Sequence, residues 1–116
     1  MDIEAAIQRA LVYWVKEHYP QVKIAASQNE NSRHAINMGM DIGEPDLRLL
    51  FRREEVTFLY YLELKSRKGK LKPSQVKWNR DFDDHYASPN CKRDVAYGFE
   101  DAKIKIASAV GAKAIR

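Results

Sequence analysis

The run VTFLYYLELK, Val56–Lys65, constrains this chain more than any other segment. Its β-branched and aromatic residues favour extended backbone. Its start is apolar on both faces, which predicts a central strand covered on both sides there. Just upstream, over residues 45–51, Leu47, Leu49 and Phe51 alternate with Asp46, Arg48 and Leu50. That period of two is a second strand. Arg52, Arg53 and Glu54 form a charged turn between the two runs. Residues 46–65 therefore read as an antiparallel hairpin.

Helices and short strands surround it. Over residues 2–18, Ile3, Ile7, Leu11 and Trp14 recur at helical spacing, with Asp2 and Glu4 in the first turn and Pro20 beyond the end. Residues 22–25 predict a short strand. Residues 27–44 are polar and without period, and a loop that long is usually functional or mobile. Pro73 opens a second helix, a position that tolerates its missing N–H. Val76, Asn79, Phe82 and Tyr86 share its stripe, with Gln75 and Trp78 beside them. Residues 95–98 predict another short strand. Residues 100–110 predict a last helix, with Ile104, Ala107 and Val110 on one face and Gly111 as its stop. The order α, β, loop, hairpin, loop, α, β, α describes one mixed α/β domain over residues 1–116, with helices on a small sheet.

Composition narrows the classes. Hydrophobic residues make up 45% and charged residues 31% of the 116, which excludes a disordered chain. A single cysteine, Cys91, excludes an internal disulfide and a cysteine-based zinc site, and fits a reducing compartment. The first residues lack the basic start of a signal peptide, and no apolar run nears the ~20 residues that span a bilayer. These features predict a soluble, intracellular protein. The net charge of +4 permits a polyanionic partner without proving one.

The chemistry gathers at one end of the hairpin. Glu63 and Lys65 are two apart on a strand, so they share a face. Asp46 opens the partner strand at the same end. Two carboxylates supply hard oxygen ligands for Mg²⁺ or Mn²⁺. Such a cation polarises a phosphoryl oxygen and acidifies its bound water, while a lysine orients that water and offsets developing charge. Phosphodiester hydrolysis is the reaction this set can perform.

Three stretches carry a resemblance: GEPDL at Gly43 to Leu47, ELKSRKGKLKPSQ at Glu63 to Gln75, and Trp78. Together they resemble the VRR-NUC family (virus-type replication-repair nucleases) of the PD-(D/E)xK nuclease superfamily. Pro45-Asp46 matches "PD", Glu63-Leu64-Lys65 matches "ExK", and Gly69 with Ser74-Gln75 matches the extension that follows. The resemblance implies a restriction-endonuclease-like core and a metal-dependent DNA endonuclease. It assigns the metal to Asp46, Glu63 and the Leu64 carbonyl, with Glu4 approaching from the first helix. Lys65 positions the attacking water, and Gln75 lies near the lysine. Stand-alone relatives resemble Holliday-junction resolvases and act as dimers on branched DNA, which suggests a homodimer here, from a virus or mobile element.

Bland readings stand beside these. Asp46 alone would be a turn residue after proline, and Glu4 a complement to the helix dipole. Gln75 could be a helix cap. Arg67, Lys68, Lys70 and Lys72 could be a solvated turn, although they leave the proposed centre directly and suit phosphate contact. Arg33 and His34 are a second candidate contact. Trp78, Phe82 and Tyr86 could be helix core, a stacking platform or a subunit interface. The competing functions are a flap or nonspecific nuclease, and a non-catalytic DNA-binding or assembly module on a nuclease-like fold.

Overall fold

The structure, a computed structural model, describes residues 3–27 and 43–111. Four strands and three helices follow in the order α1 (Ile3–His18), β1 (Lys23–Ala26), β2 (Leu47–Arg53), β3 (Val56–Lys65), α2 (Pro73–His85), β4 (Cys91–Tyr97) and α3 (Phe99–Val110). The sheet order is β1-β2-β3-β4. The first two pairings are antiparallel and β3 with β4 is parallel. A parallel pair needs a crossover, and α2 supplies it.

Alternation sorts the sheet into two faces. Leu47, Leu49 and Phe51 of β2 join Tyr60, Leu62 and Leu64 of β3 and Ala96 of β4 in the buried core. Leu11 and Val15 of α1 and Ala102, Ile106 and Val110 of α3 close over them. Each fully buried leucine contributes about 1.5–3 kcal/mol. On the opposite face α2 lies over β3: Trp78 stacks on Phe82, and Tyr61 meets both rings edge-on.

The β2–β3 hairpin runs over 46–65 as expected, with Arg53 paired to Val56. Its turn is Glu54-Glu55, both with positive φ (52° and 68°). Arg52 and Arg53 stay in the strand rather than the turn. The part of β3 covered on both sides is its C-terminal half; Val56 and Thr57 at its start are exposed. The strand becomes central only where β4 and α2 reach it.

Several helix faces are rotated from the expected ones. Ile3 is exposed, and Leu11 with Val15 forms the buried line of α1. The buried line of α2 is Gln75, Asn79 and Phe82, leaving Val76 and Tyr86 exposed. In α3, Ala102, Ile106 and Val110 face inward and Ile104 outward. β4 starts at Cys91, well before residue 95. Its charged side chains are met locally, Arg93 by Asp83 and Asp94 by Lys105. No helix among the described residues is long and apolar enough to cross a membrane.

Candidate active site

The end of β3 is where the two halves of the sequence pattern meet. Leu47 pairs with Leu62. One step further, the same register sets Asp46 opposite Glu63, on the face that α2 covers.

Asp46 is fixed from two sides. Its carbonyl accepts from the Ser27 N–H (2.7 Å), while the Ser27 hydroxyl donates to the Pro45 carbonyl (3.0 Å). Its carboxylate accepts from the Leu64 N–H (2.8 Å). An extended residue turns its N–H and C=O the same way, so the Leu64 carbonyl also faces the Asp46 side of β3. The backbones of Leu59 and Lys65 turn the other way: the Leu59 N–H donates to Asn90, and the Lys65 carbonyl accepts from Gly98.

Glu63 and Lys65 are each only 3% exposed. The Lys65 Nζ lies 3.7 Å from Glu63 Oε2. Gln75 reaches down from α2, and its Nε2 donates to the same oxygen (2.9 Å). The Gln75 Oε1 accepts from the Lys72 N–H (2.8 Å) at the start of α2. The two ends of one amide thus cap the start of α2 and hold the Glu63 carboxylate.

Burial pushes the Asp46 carboxyl above the usual 3.8. The Leu64 N–H, the Glu63 carboxyl and the Lys65 charge oppose that rise, and the Glu4 charge adds to it. Glu4, from the first turn of α1, accepts from the Ser66 N–H at 3.4 Å, which sets it at the margin of the pair. Among the described residues, no three His, Cys, Asp or Glu side chains converge as a ready metal cage. The pair Asp46–Glu63 with the Leu64 carbonyl is what the geometry brings together.

Arg67, Lys68, Lys70 and Lys72 follow β3 and are all exposed. Arg33 and His34 lie outside the described residues. Trp78 and Phe82 are packed against Tyr61, whereas Tyr86 projects to solvent beside an open groove of about 660 Å³.

The sequence assigns no role to two further supports. Ser27, at the end of β1, holds the Pro45-Asp46 backbone. Gly43 (φ +87°) lies against the start of α2, where an added Cβ would come within 2.2 Å of the Ser74 carbonyl oxygen. That approach seats the Gly43–Asp46 turn on the helix that carries Gln75. Only a glycine before the Pro-Asp pair hinted at it.

No family model and no curated protein matches the sequence. Among solved structures, one described as a VRR_NUC domain protein superposes with a TM-score of 0.66. The match covers 94% of this chain and 88% of that one at 16% identity, so it speaks for the fold. This chain therefore has the VRR-NUC fold, a mixed β-sheet flanked by helices.

Proposed function

We propose that residues 1–116 form one divalent-metal-dependent DNA endonuclease domain that hydrolyses phosphodiester bonds. The observation that carries this reading is the meeting of the Asp46 and Glu63 carboxyls beside Lys65, on a buried strand end whose backbone is pinned at every step. Two adjacent hard oxygen donors and an inward-turned carbonyl suit Mg²⁺ or Mn²⁺. Bound there, the cation would polarise the phosphoryl oxygen and lower the pKa of a coordinated water.

The chain's own groups do the rest. Lys65, held 3.7 Å from Glu63, donates from Nζ to the attacking water and offsets charge on the phosphorane. Gln75 keeps the Glu63 carboxylate oriented (2.9 Å). Glu4 supports the site from α1 through the Ser66 N–H. Arg67, Lys68, Lys70 and Lys72 grip backbone phosphates as the strand leaves the site. Arg33 and His34 add contacts from the preceding segment. A two-fold dimer would set two centres against opposite strands of a branched junction.

Synthetic four-way junctions, flaps, single strands and plain duplexes, each with Mn²⁺ and with EDTA, test the assignment. Metal-dependent cutting that Asp46→Ala and Lys65→Ala abolish is the expected result. Full activity in either variant sinks the catalytic assignment, and no cutting of any substrate leaves a DNA-binding module. Light scattering at twice the chain mass is expected for the dimer; a monomer at assay concentration argues against the resolvase form.

A further inference from the structure

The face that carries Glu63 and Lys65 continues onto β4. The parallel register pairs Glu63 with Val95 and Lys65 with Tyr97. Paired residues on neighbouring strands share a face, so Tyr97 flanks the lysine on the active-site side.

The two differ sharply in exposure. Lys65 is 3% exposed and Tyr97 is 40% exposed. The Tyr97 backbone is nonetheless fixed. Its N–H donates to the Asp101 carboxylate (2.8 Å), and the next N–H, of Gly98, donates to the Lys65 carbonyl (2.8 Å). Tyr61, on the same face of β3, is engaged by Trp78 and Phe82. The Tyr97 ring makes no aromatic or cation contact, and its hydroxyl no hydrogen bond, among the described residues.

A cation lies next to it. The Arg67 stem crosses Gly98, its Cγ 3.1 Å from where a Cβ would be. With φ +96°, Gly98 is a position that side chains rarely adopt, and its missing Cβ is what admits the stem. Arg67 is exposed, with no carboxylate partner among the described residues.

A flat ring and a free guanidinium at the mouth of a phosphodiesterase site match one nucleotide: the ring takes the base and the cation its phosphate. Inside a duplex the faces of a base are already stacked on its neighbours. The ring can therefore take only a base that is unpaired. We infer that Tyr97 stacks on an unpaired nucleobase beside the phosphate that is cut, so the preferred substrate is DNA with unpaired nucleotides at the cleavage position. This rests on the nuclease reading.

The test compares wild type with Tyr97→Phe, Tyr97→Leu and Tyr97→Ala on a gapped or flapped DNA and on a fully paired duplex. On the unpaired substrate, Leu and Ala should lower kcat/KM about 5- to 140-fold, mainly through KM, with Phe close to wild type. All four should cut paired duplex alike. A second readout uses an Asp46→Asn background and DNA carrying 2-aminopurine at the unpaired position. Binding should quench its emission with Tyr97 or Phe, and not with Leu or Ala. Equal cleavage of the gapped DNA by all variants, a Phe variant as impaired as Ala, or quenching that persists in Leu and Ala overturns the inference. Should wild type cut neither DNA, the nuclease reading fails, and the fluorescence alone decides whether the ring stacks.

Discussion

Replacing Asp46 by asparagine and by alanine separates two things the residue does. Asparagine keeps an oxygen to accept the Leu64 N–H, a bond of 2.8 Å, and removes a charge that burial opposes. Alanine removes both. An unmet N–H at this partly buried position costs about 1–3 kcal/mol. In EDTA at pH 7 the asparagine variant should be at least as stable as wild type, and more stable than the alanine variant by roughly that amount. In a chain of this size ~1 kcal/mol moves Tm by roughly 3–6 °C, so differential scanning calorimetry resolves the difference. The pH dependence follows from the raised carboxyl. A folded-state pKa above the unfolded 3.8 means the folded protein holds this proton longer. Asp46 therefore imposes no penalty below 3.8 and an increasing one as pH rises through its folded value. The advantage of the asparagine variant should open over that window. Mn²⁺ at a hundredfold excess over its Kd should add about 2.7 kcal/mol to wild type and nothing to either variant. An asparagine variant that melts several degrees below wild type in EDTA, or that shows the full Mn²⁺ shift, would refute the reasoning.

Other perturbations probe the supports. Gln75→Ala removes the donor to buried Glu63 and the acceptor of the Lys72 N–H; urea melts should show a loss of roughly 2–4 kcal/mol, with cleavage reduced more than DNA binding. Gly43→Ala forces a Cβ to 2.2 Å from the Ser74 carbonyl at a positive φ, so the turn must move off α2; a loss above about 2 kcal/mol and weakened metal affinity by calorimetry are expected, and an unaffected site would contradict the seating role. Glu54-Glu55 occupies a turn whose two left-handed positions favour Asn-Gly. The double change Glu54→Asn, Glu55→Gly should raise stability by about 1 kcal/mol in urea melts and leave cleavage as it was.

The parts of the site were unequally legible. The hairpin could be read because both of its runs follow a period of two, and that period alone puts Glu63 and Lys65 on one face. The position of Asp46 followed from the same register. Gly43 and Ser27 act through backbone contacts across the fold, and a sequence records no pattern for those. The second half of β4 reads as a strand, but its start escapes because KRD at Lys92 to Asp94 looks like a loop. Asp83 and Lys105, on the flanking helices, meet Arg93 and Asp94 and let the strand continue. The helix faces were misphased where a large residue lies outside and a small one inside, as with exposed Ile104 and buried Ala102. Hydrophobicity ranks the wrong member of such a pair, and only the space between helix and sheet decides.

Two neighbouring carboxyls under a helix oppose folding. Burial disfavours the charged form of Asp46, and the Glu4 charge adds to that. A well-packed apolar pair of the same volume would hold the strand end at least as well, because buried ionic groups seldom improve stability over hydrophobic replacements. Here the opposition is met by directed bonds: Leu64 N–H to Asp46, Gln75 to Glu63, Lys65 beside both, and Ser27 behind the backbone. The Gln75 and Lys65 contacts would not be needed if the position were apolar. So much local structure spent on keeping two acids adjacent and oriented supports the proposal that this site presents oxygen ligands. The same reasoning explains why the asparagine variant should gain stability as it loses metal: the charge that the proposed ligand role of Asp46 requires is the one the fold must work to hold.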